Sequence, residues 1–247
     1  MQTSHYQNQV TLDFDERRHF YSVDTVPVPG VTTILSVINK PALVPWAAKL
    51  AAETYTALIR QGGDLTEKRL LEIEKAAMTA PSAKKKQAAD VGTVVHAWAC
   101  ARARGESPPL PEDERSREGI HAFLRWIESH KVEFLKTELR VFSRRHWYAG
   151  TVDFLATIDG RLTIGDYKTS GGIYPEFHLQ TAAYLGAWLE EYAPDGTEQF
   201  PARAIIRFDK YTGAFSVRGR ESATYPNDHA GFLGALALHK ALRMAES

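Results

Sequence analysis

Cysteine is all but missing from this sequence: Cys100 is the single one in 247 residues. One thiol excludes an intramolecular disulfide, a four-cysteine zinc site and an all-cysteine iron–sulfur cluster within the chain. Cys100 itself reads as a small apolar helix residue. A charge excess is missing too, since 30 Lys and Arg balance 30 Asp and Glu. Proteins that bind nucleic acid often carry a basic surplus. Any contact with phosphates must here come from local clusters such as Lys84-Lys85-Lys86 and Arg144-Arg145, which otherwise read as solvated faces. No stretch nears the ~18 consecutive apolar residues of a membrane span. The opening MQTSHYQNQV lacks a basic segment followed by an apolar run, so no secretory signal and no membrane partner are expected, and a soluble, cytoplasmic protein is. There is no internal repeat. There is also no Gly-x-x-x-x-Gly-Lys loop to cradle phosphates, so no fused helicase motor is expected.

What is present is ordinary globular material, 44% hydrophobic and 24% charged, in a length that suits one substantial domain. Short strands are expected over Val10–Phe14 and His19–Val23, ending at Val26-Pro-Val-Pro-Gly30, after which Thr32 or Thr33 could cap a helix. Helices follow from Pro45-Trp46 to Arg60 and over Leu65–Met78. Pro81-Ser82 opens another that ends near Arg104-Gly105, and Glu112–His130 forms a further one. The texture then changes to strands at Lys136–Ser143, Tyr148–Ile158 and Arg161–Lys168. A helix over Pro175–Tyr192, strands over Ala202–Phe208 and Ala214–Arg218, and a helix over Tyr225–Met244 complete the chain. The pattern predicts an α/β fold with a mixed β-sheet core flanked by helices. It divides into strands and a helical region over 1–80, the core over 81–220 and a C-terminal helix over 221–247.

Asp159-Gly160 between two strand-like runs is a strong two-residue hairpin signal. With those residues in the loop, Ile158 faces Arg161, Leu155 faces Ile164 and Asp153 faces Asp166. Because side chains alternate along a strand, Leu155, Leu162 and Ile164 share a face with Asp153, Asp166 and Lys168. Two carboxylates directly opposite on a sheet have Cβ atoms only ~5 Å apart and repel one another. A hard divalent cation with oxygen ligands offsets that repulsion, and Lys168, two residues past Asp166, reaches the same space. A metal and a lysine above paired carboxylates can activate water and stabilise the charge of a phosphodiester transition state. An Asp-x-Lys triplet alone fits an exposed salt bridge better; the carboxylate opposite brings the two readings level, and a one-residue bulge would spoil the register.

Around this hairpin, Val91, Val95 and Trp98 form a helical apolar stripe with Gly92 and His96 one position round. His96 fits either a core histidine or a neutral imidazole ligand. Glu138 lies on the strand face opposite Leu139 and Val141, which suits a solvated residue. Gln180 and Tyr184, four apart, share a helix face; packing explains Tyr184 and solvent explains Gln180 as readily as a functional role does.

Taken together, Gly92-Thr-Val-Val-His96, Glu138, Gly150-Thr-Val-Asp153, Gly165-Asp-Tyr-Lys-Thr169 and Gln180-Thr-Ala-Ala-Tyr184 resemble, in this order, the RecB-like branch of the PD-(D/E)XK nuclease superfamily. Pro29-Gly-Val-Thr-Thr-Ile-Leu35 followed by Leu43-Val-Pro-Trp46 is similar to the opening of phage-type exonucleases of that branch, and mitochondrial genome-maintenance exonucleases are similar in the core motifs. The resemblance spans most of residues 29–209. It implies a restriction-endonuclease-like fold and a Mg²⁺- or Mn²⁺-dependent deoxyribonuclease of a bacterial or phage-infected cell, active in recombination, repair or replication. Exonuclease action on single- or double-stranded DNA with a free end is the leading reading, with a recombination protein as a partner. Structure-specific endonuclease action, or a non-catalytic DNA-binding accessory role, is the alternative.

Residue by residue, the resemblance implies that Asp153 and Asp166 bind the metal, joined by the Tyr167 backbone carbonyl and His96. Lys168 would orient or help deprotonate the attacking water, with Glu138 as a further catalytic acid. Gln180, Tyr184 and Thr169 would brace the site or contact DNA, as would Lys84, Lys85, Arg144 and Arg145. The helices over Trp46–Met78 would form an arch or wall around the strand. The four cysteines of iron–sulfur relatives are absent, so no such cluster is expected.

Overall fold

The structure, a computed structural model, describes residues 1–196, 200–209 and 212–245, with side chains for all of these except 87–91. The side chain of Val91, expected on the apolar stripe beside His96, therefore lies outside what is described. The chain divides into two compact units, one of Met1–Ile38 with Val94–Ser247, the other of Asn39–Thr93. The N-terminal strands thus group with the α/β core.

The larger unit is a mixed α/β structure. It starts with an antiparallel meander, β1 (Gln2–His5), β2 (Val10–Asp15), β3 (Phe20–Val23) and β4 (Val26–Val28), paired in chain order. Only the middle two strands were expected. The outer two are short and polar or interrupted by Pro27, so their signal is weak on a sequence scale. Helix α1 (Val31–Leu35) follows. Its cap is Gly30 with no side-chain hydrogen bond, and neither Thr32 nor Thr33 fills that role. Gly30 instead bridges in parallel to Ala149, which fixes where the helix starts.

The main sheet holds five strands in chain order: β5 (Glu133–Ser143), β6 (Tyr148–Ile158), β7 (Arg161–Lys168), β8 (Ala202–Phe208) and β9 (Phe215–Arg220). All neighbours are antiparallel except β7 and β8, which run parallel and are joined through helix α5 (Pro175–Tyr192). A parallel pair needs such a crossover. The Asp159-Gly160 turn forms as expected, with φ of 49° and 78°, the left-handed pair a tight hairpin demands. Pairing runs from Ile158↔Arg161 to Phe154↔Gly165, the register read from the sequence.

One face of this sheet buries Leu155 and Ile164 against α1, α5 and the last helix, α6 (Tyr225–Ala245). The other buries Phe154, Ala156 and Tyr167 against Val95–Cys100 of a long helix, α3 (Glu67–Ala103), and against α4 (Glu114–Ser129). Asp113 caps α4, its carboxylate accepting the Ser116 N–H. A third apolar cluster joins the meander to Phe142 and Ala149 at the far end of the β5–β6 hairpin.

The smaller unit contains α2 (Leu43–Arg60) and the N-terminal part of α3. Two helices meeting at Pro81 were expected; one continuous helix passes through it. A proline at a first helical turn and one inside a helix look alike in sequence. The interior case costs one N–H···O bond, here the one the Ala77 carbonyl would accept. No residue of α2 is buried, although its pattern is amphipathic. Among the described residues, no helix is long and apolar enough to cross a membrane.

Candidate active site

Two buried carboxylates lie on adjacent strands of the main sheet: Asp153 on β6, 8% exposed, and Asp166 on β7, 3% exposed. They stand one step beyond the last paired positions, Phe154 and Gly165. The ladder ends there because the Asp153 carboxylate takes the place of a strand: its Oδ2 accepts the Tyr167 backbone N–H at 2.6 Å. Gly165 is required at the adjoining step, since a Cβ there would lie 1.8 Å from Cζ of Phe154, whose ring crosses the neighbouring strand. Gly150 is constrained likewise, because a Cβ would meet the Tyr184 ring at 2.5 Å. These two motif glycines are packing requirements that let aromatic rings lie flat on the strands.

The other Asp153 oxygen, Oδ1, is 2.9 Å from Nε2 of His96 on α3. Burial opposes a charge on this imidazole, but its hydrogen bonds to Asp153 and Cys100 outweigh that and push its pKa up to about 11. Without a metal the ring is thus an imidazolium that neutralises Asp153. Cys100, one helical turn on, places Sγ 3.6 Å from His96 Nδ1. Burial of Cys100 agrees with the sequence reading, whereas its contact with the histidine had no signal beyond an i,i+4 spacing.

Asp166 has different company. Lys168 Nζ lies 2.5 Å from its Oδ2, and Gln180 Nε2 donates to its Oδ1 at 2.9 Å. Gln180 Oε1 in turn accepts from Lys168 Nζ at 2.8 Å, and Nε2 also donates to the Tyr184 hydroxyl at 2.7 Å. Gln180 therefore couples acid, lysine and tyrosine from one turn of α5. Complete burial drives the Asp166 pKa up, Lys168 pulls it down and the Asp153 charge raises it again, leaving it at about 6. Despite the close lysine, Asp166 Oδ2 has no hydrogen bond of ordinary geometry. A buried carboxylate oxygen in that state, beside a second carboxylate, suits a divalent cation.

Tyr167 sends its ring to the opposite face, against Phe123, Phe154 and Phe208, where it also meets the His96 ring edge to face at 5.8 Å. Thr169 follows β7 and is half-buried. Glu138 is exposed, sits at φ 49° and pairs with Arg104 at 3.1 Å, with its carboxylate outside the hydrogen-bonded cluster. Arg144 and Arg145 occupy the β5–β6 turn, where their backbone N–H groups bind Tyr6 and Glu190. Tyr148, which follows that turn, lies about 16 Å of extended chain from Asp153, so the pair is not drawn into the cluster. Lys84 and Lys85 are exposed on the smaller unit's part of α3. Among the described residues, no group of three or more His, Cys, Asp or Glu is gathered as a ready metal cage. The fit is therefore to an ion held by two carboxylates and completed by backbone, water or substrate oxygens, which is how Mg²⁺ is commonly bound.

A neighbour of the cluster that sequence reasoning missed is Phe177, whose ring lies 4.9 Å from Lys168 Nζ. Its spacing of three from Gln180 on a helix was the available signal.

No protein-family model matches the chain, and a search of curated proteins gives no match. Two solved structures are similar at a TM-score of 0.27 each. The crystal structure of SSO0001 is 11% identical and covers 47% of this chain, which spans 56% of that one. The crystal structure of LHK-Exo in complex with dAMP is 13% identical and covers 79% of this chain and 91% of its own.

Proposed function

We propose that this chain is a metal-dependent nuclease. The observation that carries the reading is the convergence, on adjacent strand ends, of two buried carboxylates and a lysine around a carboxylate oxygen that lacks a normal hydrogen bond. A purely structural role leaves one feature without an account, because Lys168 and His96 offset the two charges but do not give Asp166 Oδ2 a normal hydrogen bond. Asp153 and Asp166 would hold Mg²⁺ or Mn²⁺, with the Tyr167 backbone carbonyl and His96 as further donors. When bound, the ion supplies Lewis-acid chemistry for phosphodiester hydrolysis.

The chain's own groups divide the remaining work. Lys168 carries its ammonium beside Asp166, where it can orient a water and stabilise negative charge developing on the phosphate. Gln180 holds Lys168 Nζ and Asp166 Oδ1 in fixed relation, and Tyr184 anchors Gln180 from the buried side. His96 must give up the Nε2 proton it shares with Asp153 before that nitrogen can ligate.

The narrower reading, a DNA exonuclease, rests on the motif resemblance. Incubation with linear and covalently closed circular DNA, in Mg²⁺ or in EDTA, tests both levels. Metal-dependent loss of linear DNA with intact circles is the expected result. Cleavage of circles would move the reading to an endonuclease, and no cleavage of any nucleic acid by folded protein in Mg²⁺ or Mn²⁺ would end it.

A further inference from the structure

From the buried Tyr184, α5 presents Gln180 and then Phe177 along one face, with Tyr174 at its N-terminal boundary. Burial falls along this line: Tyr184 is 3% exposed, Gln180 6%, and Tyr174 47%. The Tyr174 and Phe177 rings meet edge to face at 5.5 Å, and Phe177 also borders Lys168 Nζ. The catalytic lysine is thus joined, ring by ring, to an aromatic side chain open to solvent.

The loop that carries Tyr174 is held in place. Arg207 on β8 donates to the Ser170 carbonyl at 3.1 Å, and the Ser170 hydroxyl donates to the Gly172 carbonyl at 2.6 Å. The Phe177 N–H closes on the Tyr174 carbonyl at 3.0 Å. Tyr174 caps α5 with no side-chain hydrogen bond, so its ring is not needed to start the helix. A large aromatic surface left in water beside a reactive group, on a braced backbone, has the properties of a stacking platform.

We infer that Tyr174, backed by Phe177, is a platform for the nucleobase next to the scissile phosphate. The inference rests on the nuclease reading and assigns the occupant: an unpaired base, whose π-face any of the four can offer. A base stacked there places its own phosphate toward Lys168. The site would therefore favour ends with at least one unpaired nucleotide.

The test is equilibrium binding of a fluorescent oligothymidylate in EDTA, where cleavage is suppressed, beside the same oligonucleotide carrying an abasic residue at its cleaved end. Tyr174→Ala should weaken binding of the intact oligonucleotide on the order of 10- to 100-fold, while Tyr174→Phe stays near the parent. The abasic change should weaken the parent by a similar factor and add little in Tyr174→Ala, the signature of two partners in one contact. Equal affinity of Tyr174→Ala and the parent for the intact strand, with cleavage retained, would overturn the platform and leave the nuclease reading standing. Equal losses for intact and abasic strands would also overturn it, since the ring would then act through something other than the base. If the parent neither binds the strand nor cuts DNA in Mg²⁺, the nuclease reading fails and takes the platform with it.

Discussion

Two buried carboxylate sites of the larger unit are built in opposite ways. Asp228 on α6 accepts from two arginines: Arg203 at 2.8 Å, and Arg220 through both oxygens at 3.0 Å. Burial opposes its ionisation, but the hydrogen bonds from Arg220 and Arg203 outweigh that and hold the carboxyl below the usual range. Asp166 faces another carboxylate, keeps an oxygen without a normal hydrogen bond and is pushed above that range. The first arrangement ties β8, β9 and α6 together and is nearly complete in itself. The second balances its charges with His96 and Lys168 yet leaves Asp166 Oδ2 without a normal hydrogen bond where the chemistry is proposed. A carboxylate satisfied at both oxygens serves the fold, whereas one with an orphaned oxygen is open to a cation.

The largest expected effect breaks this comparison directly. Asp166→Ala or Lys168→Ala should lower cleavage in Mg²⁺ by at least about 100-fold, the cost of losing one electrostatic stabiliser, while far-UV circular dichroism stays that of the parent. Full activity in both variants would put the site elsewhere. Next, Asp228→Ala should cost about 3–5 kcal/mol of stability, because it leaves the buried guanidinium of Arg203 without its partner. Urea unfolding measures this, and a loss well under 1 kcal/mol would show that water replaces the carboxylate freely.

A smaller effect is expected from Gly165→Ala, about 1–3 kcal/mol, since the added methyl overlaps the Phe154 ring. Combining it with Phe154→Leu should recover part of that loss, whereas additive losses would mean the ring is not the obstacle.

The smallest effect is in the pH dependence, where the two acids should differ in sign. Asp228 has a depressed folded pKa, so its stabilisation is full above the ordinary carboxylate pKa and is lost as pH falls through the depressed value. Asp166 has a raised one. The unfolded chain releases its proton near the ordinary value while the fold keeps it to about pH 6, so stability attributable to Asp166 falls as pH rises through that window. In metal-free protein, Asp166→Asn should therefore gain relative stability between pH 4 and roughly 7, whereas Asp228→Asn should lose relative stability as pH rises to the ordinary carboxylate value and stay level above it. Parallel pH profiles for the two variants would remove the distinction drawn here.

The hairpin that carries Asp153, Asp166 and Lys168 was legible in the sequence because it is local. Asp159-Gly160 fixes the turn, strand alternation fixes the faces, and the register follows by counting to Phe154 and Gly165. The bounds of β6, β7 and α5 follow from the same short-range signals. Pro81 misled, since its effect on a helix depends on what the surrounding turns are doing. Thr32 and Thr33 misled because the start of α1 is set by a long-range bridge to Ala149. Alternation placed Glu138 on the solvent side, where it is exposed, while its left-handed backbone and its contact with Arg104 had no local signal.

By itself, then, the sequence determined which acids and which lysine share a strand pair, since period and turn chemistry act over a few residues. Only the tertiary structure decided what surrounds them. Gln180 bridging Asp166 to Lys168, His96 reaching Asp153, and the Phe177 ring beside Lys168 all join different elements of the chain. Such contacts arise from how helices pack on a sheet, and no local pattern encodes the distance between two side chains on different elements.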